Sequence, residues 1–342
     1  MSHSTMTYRG RAGLRAAVAG VAVVCVNLLV SGQAGHVAAS TRANTGVRAT
    51  SMSFLWVQPL RNHPVHRLMQ AGFLNECAKL HAQCEVVGNP SATIYDVPAS
   101  TALANAALAA KHYGCVAAYD PDPSINTFIK KVSQQGYPVV TWHVLPKQGT
   151  VTGLDAATGE NIPQVGQAAA LAMGQKLGGR GVIAVTQGSF NLTENAMNAS
   201  FVATMKAHYP GIKVLAPQLE NFEPSAAVAK AVSILQGNPD VNAAFSTTGN
   251  GPQTWAGAQQ QSGRKLVIIG MDYIRQNLDL VQSGKVFGLA AQPLYPEGAK
   301  AADLCAGLAT GKKVPYYNYL PAKIITKGQL GPYYGYLKAA GE

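Results

Sequence analysis

Short apolar segments alternate with helix-length segments along most of the chain, in two successive series of similar plan. In the first series, SFLWV (53–57), CEVVG (84–88), CVAAY (115–119) and YPVVTW (137–142) read as strands, with helices expected over 64–81, 99–113 and 124–135. In the second, GVIAV (181–185), IKVLA (212–216), VNAAFS (241–246), KLVIIG (265–270) and VFGLAAQ (286–292) are the strands. Helices are expected there over 163–177, 194–208, 224–236, from Pro252 onward, and over 276–283 and 295–310. Strands that alternate with helices of this length form parallel sheets covered on both faces. Right-handed crossovers make each half a doubly wound sheet, so the fold class is α/β with two Rossmann-like lobes that meet at a cleft.

The N-terminus carries a different pattern. Arg9, Arg11 and Arg15 lead into an apolar run over 16–30, followed by small residues over 31–40. A basic head, a short apolar core and a small-residue exit describe a secretory signal, with cleavage expected after Ala39. Asn27 interrupts a run already shorter than the ~20 residues of a spanning helix, which argues against an anchor. Loss of residues 1–39, which hold three Arg and no acid, lowers the formal charge from +11 to +8. The remaining basic residues are scattered singly, without the clustering or aromatic interleaving of a nucleic-acid surface. With 13% charged and 47% hydrophobic residues, the product reads as a globular exported protein.

An oxidising compartment permits disulfides, and four cysteines follow residue 39. Cys77 late on a helix and Cys84 opening the next strand can come within bridging range, a pairing that the sequence leaves open. Cys115 and Cys305 read as buried apolar residues. No CxxC or Cys/His spacing suggests a zinc site, so neither a metal nor a cofactor is expected.

In doubly wound sheets ligands bind beyond the carboxyl ends of the strands. The loops there read QPLRNHPVH (58–66), DPDP (120–123), HVLP (143–146), QGSFNLTEN (187–195), STTGNGP (246–252), GMD (270–272) and AQP (291–293). They supply amides, imidazoles and isolated carboxylates, a lining for a polar and largely uncharged molecule. His63 and His66, three apart at a helix start, can face the same way, or can be surface or capping groups. A neutral His143 offers one donor and one acceptor without a charge, or is an ordinary residue after a strand. Asp272 is either a ligand group or the cap of the next helix. Trp56, Trp142 and Trp255 could stack on an apolar ligand face, with Trp56 better read as core. If the imidazoles touch a ligand while neutral, affinity should drop as pH falls through about 6.5.

NHP at the first helix, PVVTW in the fourth strand, ENIPQVGQAAA, NPDVNAAFSTTGN, VIIGMD and GLAAQP follow one another at set spacings. In this order they resemble periplasmic binding proteins of the ribose type, the solute-capturing subunits of ABC importers. The resemblance covers residues 53–328. It implies a periplasmic-binding-protein type I fold with a three-crossing hinge: a first lobe of 50–153 plus 294–320 and a second of 154–293 plus 321–330; residues 331–342 (GPYYGYLKAAGE) read as a tail whose tyrosines can pack on a lobe. It implies capture of a small sugar or polyol, an ABC permease as partner, an open question of a chemoreceptor, a periplasmic or extracytoplasmic location, a monomer, no nucleic acid and no enzyme activity. The ligand-binding residues it points to are Asn62, His63, His66, His143, Asn195, Asn250 (or Thr248, since the loop is longer here), Asp272 and Gln292. His143 and Val144 stand where the family has aspartate and arginine, and a second-lobe arginine would fall near 195–198, where this chain has none.

Two other classes compete. A metal-dependent or hydrolytic enzyme would use His63, His66, His143 and Asp272, but the chain has no GxSxG, HExxH or paired-carboxylate motif. A transcriptional regulator on the same scaffold would need a basic helix-turn-helix where the export signal stands.

Overall fold

The computed structural model describes residues 52–119 and 123–342; the expected export signal and residues 120–122 of the DPDP turn lie outside the described residues. The first series folds as β1 (Ser53–Gln58), α1 (Pro64–Lys79), β2 (Gln83–Gly88), α2 (Val97–Ala110), β3 (Cys115–Tyr119), α3 (Ile125–Gln134), β4 (Val139–Trp142) and β5 (Ala156–Gly159). The second continues with α4 (Ile162–Lys176), β6 (Gly181–Gln187), α5 (Leu192–His208), β7 (Ile212–Val214), β8 (Gln218–Leu219), α6 (Pro224–Gly237), β9 (Ala243–Ser246), α7 (Gly251–Ser262), β10 (Val267–Met271), α8 (Arg275–Gln282) and β11 (Gly288–Ala291). The chain ends with α9 (Leu294–Ala309), β12 (Tyr317–Tyr319), β13 (Lys323–Ile325) and α10 (Gly331–Ala339).

Helix starts follow local chemistry. Asp96, Asn161 and Asn191 each accept a hydrogen bond from the backbone N–H three residues on, capping α2, α4 and α5. Pro64 occupies the first turn of α1, where its missing N–H costs nothing.

Two sheets result, ordered β12-β5-β4-β3-β1-β2 and β13-β11-β10-β9-β6-β7, with β8 beside β6. Every pairing is parallel except β11 with β13. The strand order reverses between β1 and β3 in one sheet and between β6 and β9 in the other, the switch points at which doubly wound sheets bind ligands. The chain passes between sheets three times: after β5, after β11 and after β12. The strands β5, β12 and β13 are too short to stand out in the sequence. Because β5 pairs with β4, the first sheet keeps the chain to Gly159, beyond the expected limit at residue 153.

Helix α9 returns to the first lobe and lies on α1, where small residues let the backbones meet. A Cβ on Gly72 would collide with the carbonyl of Tyr295, and one on Gly298 with that of Met69. Trp56 stacks on Trp142 with ring centroids 4.1 Å apart. Both, like Trp255, are fully buried core residues and not sugar platforms.

Cys77 and Cys84 form a disulfide, with Cα atoms 6.2 Å apart. Cys115 and Cys305 form a second, which corrects their reading as apolar core: the packing of α9 on β3 brings their Cα atoms to 5.3 Å despite 190 residues of separation. Residues 331–342, expected as a tail whose tyrosines can pack on a lobe, do pack through them. On α10, Tyr333 packs against Tyr273 at 4.9 Å and Tyr336 against Tyr295 at 5.6 Å, and Asn75 donates to the carbonyl of Ala339 at 2.8 Å. Among the described residues, no helix is long and apolar enough to cross a membrane.

Candidate functional site

The carboxyl ends of the strands in both sheets face one cavity. Its walls come from the loops after β1 (Leu60, His63, Val65, His66), β3 (Tyr119), β4 (His143), β6 (Asn191, Thr193, Glu194), β9 (Thr247, Thr248, Gly249), β10 (Asp272) and β11 (Gln292), with Tyr95 and Phe222 closing the rim. The enclosed volume is ≈ 60 Å³, several times the 10–15 Å³ that one water needs on this measure. A larger groove of ≈ 410 Å³, lined largely by apolar residues such as Leu145, Ile162 and Leu192, shares Thr193 with it.

Five of the eight expected residues line the cavity: His63, His66, His143, Asp272 and Gln292. Asn250 borders it at the start of α7, donating to the carbonyl of Phe222 at 3.1 Å. Two point elsewhere. Asn62 is exposed and gives its amide to the carbonyl of Pro90 at 2.6 Å, and Asn195 lies on the outer face of α5, where it accepts from Gln187 Nε2 at 3.0 Å.

His63 is buried at the N-cap of α1, and neither ring nitrogen has a hydrogen bond of good geometry. Burial pushes its pKa down to about 4, with the Asn250 side chain offsetting part of that. His66 sits edge-on to Tyr119 at 5.2 Å and to Trp142 at 5.9 Å, with Nδ1 unpaired. Burial, then repulsion from His63 and His143, holds its pKa well below the usual imidazole value. Both rings are therefore neutral well below pH 6.5, so the fall in affinity expected there moves to more acid pH.

Asp272 follows β10 in a left-handed conformation (φ 69°), 3% exposed, with Oδ1 unpaired. Its loop is braced by Asn277, whose amide donates to the carbonyls of Gly249 at 2.8 Å, Met271 at 3.0 Å and Asp272 at 3.1 Å. Burial raises the Asp272 pKa to about 8; His143 opposes the rise, while the carboxyls of Glu160, Glu297 and Glu194 add to it.

Several buried acids were not expected. Gln292 Nε2 donates to Glu160 Oε1, joining the start of the first crossing to the start of the second. Glu297 is fully buried in the first turn of α9, 3.5 Å from His143 Nδ1. Glu194 accepts from the backbone N–H of Gly188 at 2.7 Å and Ser189 at 3.1 Å, from Thr247 Oγ1 at 2.7 Å and from Asn191 Nδ2 at 3.0 Å. Burial lifts Glu160 and Glu194 to about 7, and Glu297 well above its usual range. Glu194 was legible as the fourth residue of NLTE, a cap with an acid three residues on. Glu297 was legible from its place on the apolar stripe of Leu294, Gly298, Ala301 and Cys305.

His143, Glu160 and Glu297 offer ligand atoms all within 4.8 Å of one another, a spacing that could hold a cation. The lining residues offer hydrogen-bonding and aromatic groups.

A sequence profile described as a periplasmic binding protein domain matches residues 54–313. The chain is 26% identical over 207 residues to the ribose import binding protein of Bacillus subtilis (strain 168), covering 60% of this chain and 65% of that protein. It is 28% identical over 163 residues to the xylitol-binding protein of Mycolicibacterium smegmatis, covering 47% and 43%. The matches thus span under two thirds of the length of these curated relatives. In fold it is similar to a glucose-galactose binding protein from Geobacillus stearothermophilus (TM-score 0.75, 23% identity, 82% of this chain and 99% of that one). A solute-binding protein from Agrobacterium vitis bound with alpha-D-tagatopyranose gives a TM-score of 0.76 at 19% identity, over 82% and 96% of the two chains.

Proposed function

Because the chain belongs to the periplasmic binding protein family, we propose that it captures a small sugar or polyol between its two lobes and presents it to the permease of an ABC importer. The observation that carries this reading is the convergence of buried, unpaired polar atoms from both sheets on one cavity. His63 and His66 come from the first lobe and Asp272 from the second. A buried polar group without a partner costs about 1–3 kcal/mol, and a ligand hydroxyl removes that cost. The names of the curated relatives, for ribose and xylitol, support the same class.

The three crossings act as the hinge, and closure brings the groups of both lobes onto the ligand. The protein acts outside the cytoplasm as a monomer, releases its ligand unchanged and needs no cofactor. Asp272 accepts hydroxyl protons, Gln292 holds the hinge side, and His63, His66, His143 and Asn250 complete the lining.

The test is calorimetry with ribose, xylitol, galactose, arabinose and tagatose, followed by recovery of the bound compound. Saturable binding of one of them, with the compound recovered intact, is expected. Conversion of the ligand would replace capture by catalysis.

A further inference from the structure

Among the described residues, the cavity is lined by acids and lacks lysine and arginine. Asp272 and Glu194 line it, and Glu160 and Glu297 lie close enough to raise the Asp272 carboxyl, yet no Lys or Arg is among the described lining residues. Glu194 is satisfied by its own loop and Thr247. Asp272 is different: it is buried, no described donor reaches its Oδ1, and it faces the cavity. A carboxylate out of water needs a positive partner or strong donors, and the protein supplies neither here.

The rest of the wall is aromatic. Tyr119, Tyr95, Phe222, His63 and His66 surround the same space, with Tyr119 4.7 Å from Trp142 behind it. His63 lies edge-on to Phe222 at 6.0 Å and to His66 at 5.9 Å. Aromatic faces attract cations through their quadrupole, most strongly where water is excluded. Acidic groups together with such faces, without a lysine or arginine side chain, form a site for an organic cation.

We infer that the captured molecule is a polyol or sugar bearing a protonated amine, with its ammonium against Asp272 and the aromatic wall and its hydroxyls on the neutral imidazoles and Gln292. This rests on the capture reading above. The ammonium meets Asp272 as a charge-assisted hydrogen bond, stronger than one from a hydroxyl. His63 and His66, being neutral, do not repel it.

The test is calorimetry at pH 7 with three matched pairs of rising size: serinol and glycerol, 1-amino-1-deoxyxylitol and xylitol, and D-galactosamine and D-galactose. The amine member of at least one pair should bind at least about tenfold more tightly than its neutral match. Asp272→Asn should remove that preference while the variant stays folded, read from its melting temperature. Equal or tighter binding of the neutral members overturns the amine inference and leaves sugar capture standing. No binding by any of the six overturns the amine inference, and capture itself falls only if ribose, arabinose and tagatose also fail to bind. A preference that persists unchanged in Asp272→Asn overturns the assignment of the ammonium to this carboxyl.

Discussion

Glu297 Oε2 lies 3.5 Å from His143 Nδ1, both side chains buried where β4 ends and α9 begins. His143 holds a left-handed backbone (φ 75°) that turns the chain at this point. Burial pushes the Glu297 carboxyl well above its usual range, so this acid keeps a proton beside the imidazole and packs against the ring, with no hydrogen bond of good geometry between Glu297 Oε2 and His143 Nδ1.

Replacing Glu297 tests that role. Glu297→Leu removes the partner of His143 and should weaken binding of the best ligand by about tenfold, whereas Glu297→Gln, which keeps a hydrogen-bonding group, should lose less. Calorimetry on both variants checks this. Equal losses would mean that the acid acts only through packing.

Asp272 should trade stability for function. Asp272→Asn removes a buried, unpaired carboxyl and keeps a residue type that tolerates the left-handed backbone. Its melting temperature should rise by a few degrees, equivalent to about 1 kcal/mol. Ligand affinity should fall by at least about tenfold. A fall in melting temperature would show that Asp272 is a structural cap.

Stability should decline toward alkaline pH. Glu160 and Glu194 at about 7, Glu220 and Asp272 at about 8, and Glu297 are all raised in the fold, with burial as the largest cause. A folded pKa above the unfolded one means that the folded chain holds the proton longer, so stability is complete below the unfolded pKa and is lost as pH rises through 7 to 8. His63, lowered to about 4, and His66 act in the opposite sense: what they contribute is present above 6.5 and lost as pH falls toward 4. The melting temperature should therefore be highest near pH ~5 and fall most steeply between about 6.5 and 8, where the histidines no longer offset the acids. A rise over that interval in differential scanning calorimetry would contradict the burial of these carboxyls.

The two disulfides should differ in weight. Closing a loop of 190 residues through Cys115 and Cys305 limits the unfolded chain far more than closing one of 7 through Cys77 and Cys84. On loop entropy alone the long bridge is worth about 5 kcal/mol and the short one about 2.5 kcal/mol. Denaturant titration of Cys115→Ala/Cys305→Ala and of Cys77→Ala/Cys84→Ala should show the first pair losing about twice as much.

What the sequence revealed depended on how local the cause was. The strand and helix series, the switch-point loops and the histidines of those loops follow from periodicity over a few residues, and His63, His66, His143, Asp272 and Gln292 meet in the cavity. Glu160 and Glu297 gain their meaning only when α9 returns to the first lobe and sets them beside His143. The Cys115–Cys305 bridge depends on the same return, and so do the edge strand β12 and its pairing with β5. Asn62 and Asn195 stood in the right loops, but local carbonyl and amide partners turned them away.

Small-angle scattering with and without the ligand identified by calorimetry tests lobe capture most directly, applied to the wild type and to Asp272→Asn. The wild type should shrink to a more compact particle on saturation while the variant, at the same ligand concentration, keeps its free profile. A saturated wild type with an unchanged profile would contradict capture between the lobes, while a variant that binds and compacts as the wild type does would remove Asp272 from the ligand contact.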